Sequence, residues 1–382
     1  MVEIQKYGYS ENSPHFVRTK LQDSSGAVLF NTLAQLGTKH PESLQESDNE
    51  CPVVSAPITR KDNTRTLQKR AKSKYFSHSL AIQLLKASQG RGVLSNAYRR
   101  TLDCSGEIVV GTDGRAVSHY CKNRWCTVCS RIRTAVTMKK YGPVLGSWQD
   151  AYFVTLTVRN VTGNELPTTV KAMTTTFQRI AGRFKKRAQR GQAPPFVGLR
   201  KFECTANATR DDFHPHFHVI VRGQANANAL RRAWINEFTG HANAVAQDVR
   251  KADTGSIIEL LKYASKLVVK LEGNGKRGVF ADMQNVVFES IRGTRTLQSF
   301  GFKLPKVSDN ELNEEADAQL PGIVPDSFFM YEHGPGQWAN VETGELMLPD
   351  FIMPESIREL SANIIVRPEY KRNGNRAYRG AG

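Results

Sequence analysis

The sequence predicts an α+β fold: a central antiparallel sheet of about five strands with flanking helices, preceded by a small cysteine-rich element. Three observations predict it. Between about 150 and 306, segments rich in β-branched and aromatic residues alternate with amphipathic helical ones. Two of the strand-like segments, 196–205 and 213–222, are separated only by a short polar loop, which is the pattern of an antiparallel hairpin. Four of the six cysteines fall between Cys104 and Cys129, a clustering that in a cytosolic chain favours a metal site over disulfides.

The elements follow in order. Residues 1–62 are polar, without sustained periodicity, and read as a flexible arm. A helix is expected over about 67–88, where Tyr75, Phe76, Leu80, Ile82, Leu84 and Leu85 supply apolar positions. With the cysteines it makes a region spanning 63–148. Tyr152–Val158 is a strand by its β-branched and aromatic content, and Thr168–Arg190 is a basic helix. The hairpin strands come next, then a helix over 226–238, a weaker strand over 244–249 and a helix over 256–270. These make a second unit, 149–306. Residues 307–382 form an acidic extension with a basic, Gly-containing tail.

Charge restricts the partners. The 382 residues carry a net +17, which points to a polyanion, most often nucleic acid. Nine Lys/Arg and no acid fall between Lys171 and Lys201, whereas none of the residues between Lys306 and Arg358 is Lys or Arg. The basic middle, including Lys185, Lys186 and Arg187, is the expected polyanion contact. No run of about 18 apolar residues occurs, and Met1–Lys6 lacks the apolar core of a signal peptide. The chain is therefore expected in the cytoplasm, away from membranes.

The most informative stretch is His214-Pro215-His216-Phe217-His218. Strand side chains alternate faces, so the three imidazoles share one face and Phe217 turns to the core. Imidazoles at i and i+2 can grip one divalent ion. A hard oxygen as third ligand would suit magnesium or manganese. Glu203, near the end of the preceding strand, reaches that position in a hairpin, with His214 as the competing ligand. Downstream, Glu259, Tyr263 and Lys266 form one stripe of the 256–270 helix. A metal polarising a phosphate, opposite a tyrosine that attacks it, is equipment for breaking a DNA strand and holding the end. Tyrosine titrates near 10, so Lys266 or the metal must favour its phenolate.

Cys104, Cys121, Cys126 and Cys129 supply four thiolates with a closing C-x-x-C, as a tetrahedral structural zinc site requires. His119 is an alternative to Cys104. Around them Lys122, Arg124, Trp125, Arg131 and Arg133 suggest a basic, partly aromatic surface that touches phosphates and stacks on bases. Arg292-Gly293-Thr294-Arg295 is a basic turn suited to phosphate contact. Thr155 and Thr157 share a strand face.

In this order, Cys121–Cys129, Phe153–Thr157, His214–His218, Lys262–Lys266 and Arg292–Arg295 resemble the rolling-circle replication initiators of small plasmids, within the His-hydrophobe-His endonucleases. The resemblance covers about 75–305 and is to the single-tyrosine subgroup with a cysteine cluster ahead of the nuclease. It implies that Tyr263 is the nucleophile, that His216 and His218 hold the metal with Glu203, and that Lys266 positions the phosphate. It also implies that Glu259 activates water at termination. The implied partner is origin DNA, single-stranded or hairpin at the nick. Relaxases and single-strand transposases share this chemistry, and a non-catalytic zinc-stabilised repressor is the rival of another class. For the acidic segment three roles stay open: a host-helicase contact, a shield for the basic face, or a peripheral fold.

Overall fold

The computed structural model describes residues 60–112, 116–262, 267–270, 277–304, 306–318, 320 and 326–367. Residues 1–59 of the expected N-terminal arm and 368–382 of the basic tail lie outside them, as do Tyr263 and Lys266, while residues 60–62 of the arm are helical rather than irregular.

The centre is a five-stranded antiparallel sheet in the order β6-β3-β5-β4-β9: β3 (Ala151–Thr157), β4 (Gly198–Asn207), β5 (Asp212–Arg222), β6 (Asp248–Lys251) and β9 (Leu297–Phe300). The histidine strand β5 is the middle one. It pairs with β3 from Ala151↔Arg222 to Thr157↔His216, and with β4 from Gly198↔Val221 to Asn207↔Asp212. Gly198 is required where β4 meets β9, because a Cβ there would collide with the Ile220 carbonyl and the Phe300 ring.

Alternation along β4 and β5 gives each sheet face its own core. One face presents Phe202, Phe217 and Val219 to α4 (Leu166–Gln189) and α5 (Gln224–Glu237). There Phe177 and Trp234 meet the Phe217 ring edge-on at 5.6 and 5.7 Å. Pro167 sits in the first turn of α4, where its missing N–H costs nothing. The other face presents Phe153, Leu199 and Ile220 to Tyr141 and Leu145 of α3 (Thr127–Gly146) and to Leu260 and Leu261 of α6 (Thr254–Leu261). α1 (Arg60–Ala87), α2 (Ser95–Asp103) and α7 (Ala281–Ser290) complete the first core through Phe76, Leu80, Leu84, Tyr98 and Phe288.

Two expected elements differ. The weak strand over 244–249 is a 3-10 turn, Ala244–Ala246, followed by β6. Asn243 accepts a hydrogen bond from the Val245 amide and caps the turn. The helix expected over 256–270 is α6, which starts earlier and ends at Leu261. Asp253 and Ser256 form a reciprocal capping box at its start. Val269–Lys270 is instead strand β7, paired with β8 (Arg277–Phe280). A short apolar run such as Leu267-Val268-Val269 has no periodicity that separates helix from strand.

The segment from 307 onward builds into the cysteine-rich layer. β10 (Phe328–Glu332) pairs with β1 (Glu107–Val110) and with β11 (Gln337–Asn340), in a sheet β11-β10-β1-β2 completed by β2 (Ala116–Val117). Trp338 is fully buried and its indole N–H donates to the Ser105 carbonyl at 2.9 Å. The acidic helix α8 (Asp309–Ala318) faces basic residues: Asp309 lies 3.2 Å from Lys122, and Glu311 pairs with Lys140. Further on, α9 (Glu355–Ala362) leads to β12 (Ile364–Ile365), which runs parallel to β8. Arg367 clamps the buried Asp282 at 2.7 Å.

Candidate active site

The β4–β5 hairpin places Glu203 opposite His216 and Lys201 opposite His218. Directly opposed residues share a face, so all four side chains project toward α6. The Glu203 Oε2 lies 3.5 Å from the Nε2 atoms of both His216 and His218. One donor atom from each of the three falls within 4.8 Å of the others.

The outer hydrogen bonds orient both rings. His216 Nδ1 lies 3.1 Å from the His214 carbonyl, and His218 Nδ1 lies 3.4 Å from Thr155 Oγ1. Both Nε2 atoms are thereby turned inward, the arrangement in which an outer partner fixes the ligating nitrogen. The His218 Nε2 is buried and makes no hydrogen bond. An imidazole nitrogen buried without a partner is costly, and a divalent ion would relieve it. A carboxylate with two neutral imidazoles suits magnesium, manganese or other first-row ions. The residues present therefore fit a metal.

Burial opposes the charge on Glu203, but the facing His216 and His218 imidazoles and the Lys201 ammonium outweigh it. The carboxyl is held well below the usual carboxylate range. Lys201 Nζ lies 2.6 Å from Glu203 Oε1 and donates to the Glu259 carbonyl at 3.1 Å. Glu259 itself, on α6, reaches 3.6 Å from His218 Nε2, and its other oxygen lies 3.6 Å from Arg250. Arg250 packs over the Phe153 ring at 4.5 Å and donates to Ser256. Sequence reasoning missed Lys201 and Arg250. Lys201 had a signal, since it stands two residues before Glu203 on one strand face. Arg250 arrives through the β3–β6 pairing and had none.

His214 takes a different partner from the one expected. Its Nδ1 lies 2.8 Å from Asn160 Oδ1, and it is outside the Glu203–His216–His218 group. The shared strand face is real, but two residues of strand rise carry His214 away from Glu203.

The four cysteines converge between α2 and α3. Cys104–Cys129 and Cys104–Cys126 are 3.5 Å apart at sulfur, and Cys121–Cys129 is 3.7 Å. A disulfide needs about 2.05 Å, whereas about 3.7 Å is the edge of a tetrahedron with metal–sulfur bonds of about 2.3 Å. The Cys121 and Lys122 amides donate to Cys104 and Cys129 sulfur at 3.4 and 3.2 Å. Contacts with the other three thiols, with burial, drive Cys104 up; the same kind of contact drives Cys121 well below the ordinary thiol range. His119 stands apart, 3.1 Å from Glu107.

The expected basic surface is only partly a surface. Trp125 is buried, 6 % exposed, edge-on to Tyr98 at 4.8 Å and donating to Thr101 Oγ1 at 2.9 Å. Arg124 donates to the Ile291 and Thr294 carbonyls, Arg133 to the Lys122 carbonyl, and Arg131 to Lys69 and Ser73. Lys185, Lys186, Arg187, Arg292 and Arg295 are exposed. No described helix is long and apolar enough to cross a membrane.

Comparison with known proteins places this geometry in context. The family model described as replication protein matches residues 115–226, a span that includes Cys121, Cys126 and Cys129 of the cysteine group and the whole histidine strand. A "Protein rep" of Staphylococcus aureus is 26% identical over 39% of this chain and 70% of its own length. One of Streptococcus pneumoniae is 26% identical over 45% of this chain and 58% of its own. One of Bacillus amyloliquefaciens is 26% identical over 51% and 65%. The match thus spans under two thirds of the last two. No solved structure matches the chain. Over residues 115–226 the chain is thus similar to the family described as replication protein and, more distantly, to the Rep proteins of these bacteria.

Proposed function

We propose that this protein initiates rolling-circle replication by nicking one strand at a plasmid origin, with Tyr263 as nucleophile. The observation that carries the reading is the position of Glu259: its carboxylate stands 3.6 Å from His218 Nε2. This brings the last turn of α6 to the Glu203–His216–His218 group, and Tyr263 follows α6 by two residues in the sequence.

Glu203, His216 and His218 would hold a magnesium or manganese ion, which when bound would supply Lewis-acid polarisation of a phosphate oxygen. The chain supplies the rest. The Tyr263 phenolate oxygen bonds to phosphorus and the 3′ oxygen leaves, taking a proton to become the 3′-hydroxyl primer. The 5′ end stays attached as a phosphotyrosine. Lys266 and Arg250 stabilise charge on the phosphate, and Lys201 keeps Glu203 ionised. At termination Glu259 accepts a proton from water, which displaces the tyrosine and releases the strand. The Cys104–Cys121–Cys126–Cys129 group holds structural zinc. Origin DNA, opened or extruded as a hairpin at the nick, is the substrate.

The test is a denaturing gel of origin DNA incubated with wild type and Tyr263→Phe, with manganese or chelator. A metal-dependent covalent band lost in the variant supports the proposal. Tight binding of a confirmed origin with no covalent band overturns it in favour of non-catalytic DNA binding.

A further inference from the structure

Lys201 and Arg200 are neighbours on β4 and therefore point to opposite sheet faces. Lys201 joins the metal-ligand group. Arg200 turns to the other side, where it is 1 % exposed. Its guanidinium lies 5.0 Å from the Phe177 ring centre and 4.4 Å from that of Phe217, and donates to Gln298 Oε1 at 2.7 Å. Its Nε and the other terminal nitrogen make no hydrogen bond. Burial lowers its pKa to about 10, and no carboxylate among the described residues offsets that. A buried cation costs several kcal/mol unless compensated, and two ring faces and one amide leave part of that cost standing.

Beside it lies a cleft of about 530 Å³. Its lining brings Lys171, Thr174 and Gln178 from α4, and Arg292 and Arg295 from the turn after α7, with no acidic side chain. Positions 171, 174 and 178 fall on one helical face. Gly293, at φ +72°, makes the turn that carries the two arginines. The carbonyls at the end of α7 would repel an anion, but those of Ile291 and Thr294 are engaged by Arg124 at 3.2 and 2.6 Å. The cleft thus combines a buried cation lacking an acidic partner, three exposed cations and hydroxyl and amide groups, the composition that receives a phosphate.

We propose that this cleft binds a backbone phosphate of a DNA strand, on the sheet face opposite the Glu203–His216–His218 group. It would hold the DNA away from the point of cleavage and fix its register. The inference rests on the chain acting on DNA, but not on the tyrosine chemistry.

The test uses the full chain. Anisotropy of labelled single-stranded and duplex DNA is followed over a salt series for wild type, Arg292→Ala/Arg295→Ala, Lys171→Ala and Arg200→Met, with melting curves confirming each fold. In parallel, the melting temperature is followed against inorganic phosphate. The double variant is expected to bind DNA about tenfold or more weaker at about 100 mM salt, with the log–log salt slope reduced by about 1.4 to 1.8 for two lost contacts. Phosphate should raise the melting temperature of wild type and not of Arg200→Met. A phosphate shift lost in the variants with DNA affinity and slope unchanged would assign a free phosphate and overturn the DNA site. Unchanged values in both arms would overturn the cleft altogether. The covalent adduct of wild type reads the nuclease proposal separately: its absence with weakened variants sinks only the nuclease, and its presence with unchanged binding sinks only the cleft.

Discussion

Glu203 and His216 are cross-strand partners at the middle of the central sheet, their ligand atoms 3.5 Å apart. Neither depends on a loop for its position. Glu203→Ala is therefore expected to lower manganese affinity by more than about 100-fold, the upper end for outer partners of ligands, with the fold intact. Titration calorimetry checks this. Thr155→Val removes only the contact to His218 Nδ1 and is expected to cost about tenfold.

Trp125 separates a structural from a DNA-contact role. Its ring fills space between Tyr98 and Phe288 and its N–H is bonded to Thr101. Trp125→Ala should cost about 3–5 kcal/mol of stability and leave the salt slope of DNA binding unchanged. Denaturant unfolding and anisotropy read the two effects independently. A stable variant with weakened binding would restore the stacking role.

What was legible in the sequence follows the reach of the signals. His216, His218 and Glu203 meet because strand alternation and a short hairpin are local rules, and the five-strand antiparallel sheet follows from the same rules. Local rules fix the face of His214 but not the Asn160 side chain that occupies its ring. Trp125, flanked by Arg124 and near Lys122, resembles a surface residue until Phe288 is brought to it from far along the chain. The pairing of β1 with β10, residue 107 with 330, leaves no trace in periodicity. Nor does the arrival of Arg250 beside Glu259.

Such long-range pairing changes the expected effect of truncation. Since every candidate site residue precedes 307, the sequence alone suggests that residues 309–382 are dispensable for nicking. The structure assigns them Trp338 in the core where α1 meets the β11-β10-β1-β2 sheet, the β10 partner of β1, and Arg367 against Asp282. Deleting 309–382 is expected to give an aggregating or strongly destabilised chain. Circular dichroism and size exclusion check this; a monodisperse truncation with an unchanged melting temperature would refute it.

The cysteine group joins the end of α2 to the start of α3, and Leu312 and Ala316 of α8 pack against it. If zinc holds it, Cys126→Ser should remove about one zinc per chain. It should lower the melting temperature on the order of 10 °C, because a structural metal contributes directly to folding. Metal analysis and calorimetry test this. Full zinc loss with unchanged melting would show that packing alone holds the element.

Acid should loosen the contact between α1 and the β10–β11 hairpin through His78. Burial, the neighbouring His333 and Lys74 lower its pKa from 6.5 to about 4, and its ring lies 4.6 Å from that of His333. The folded state therefore disfavours the proton that the unfolded chain accepts near 6.5. The neutral ring's contribution is fully present above that value and is lost as pH falls toward 4. His333 is lowered in the same direction by burial, Lys74 and Arg358, so the two rings reinforce each other. The melting temperature of wild type is expected to decline from about pH 6.5 downward, before most carboxylates protonate. His78→Gln should flatten that decline while leaving the slope below about pH 4 in place. Parallel pH profiles for the two proteins would place the acid sensitivity elsewhere.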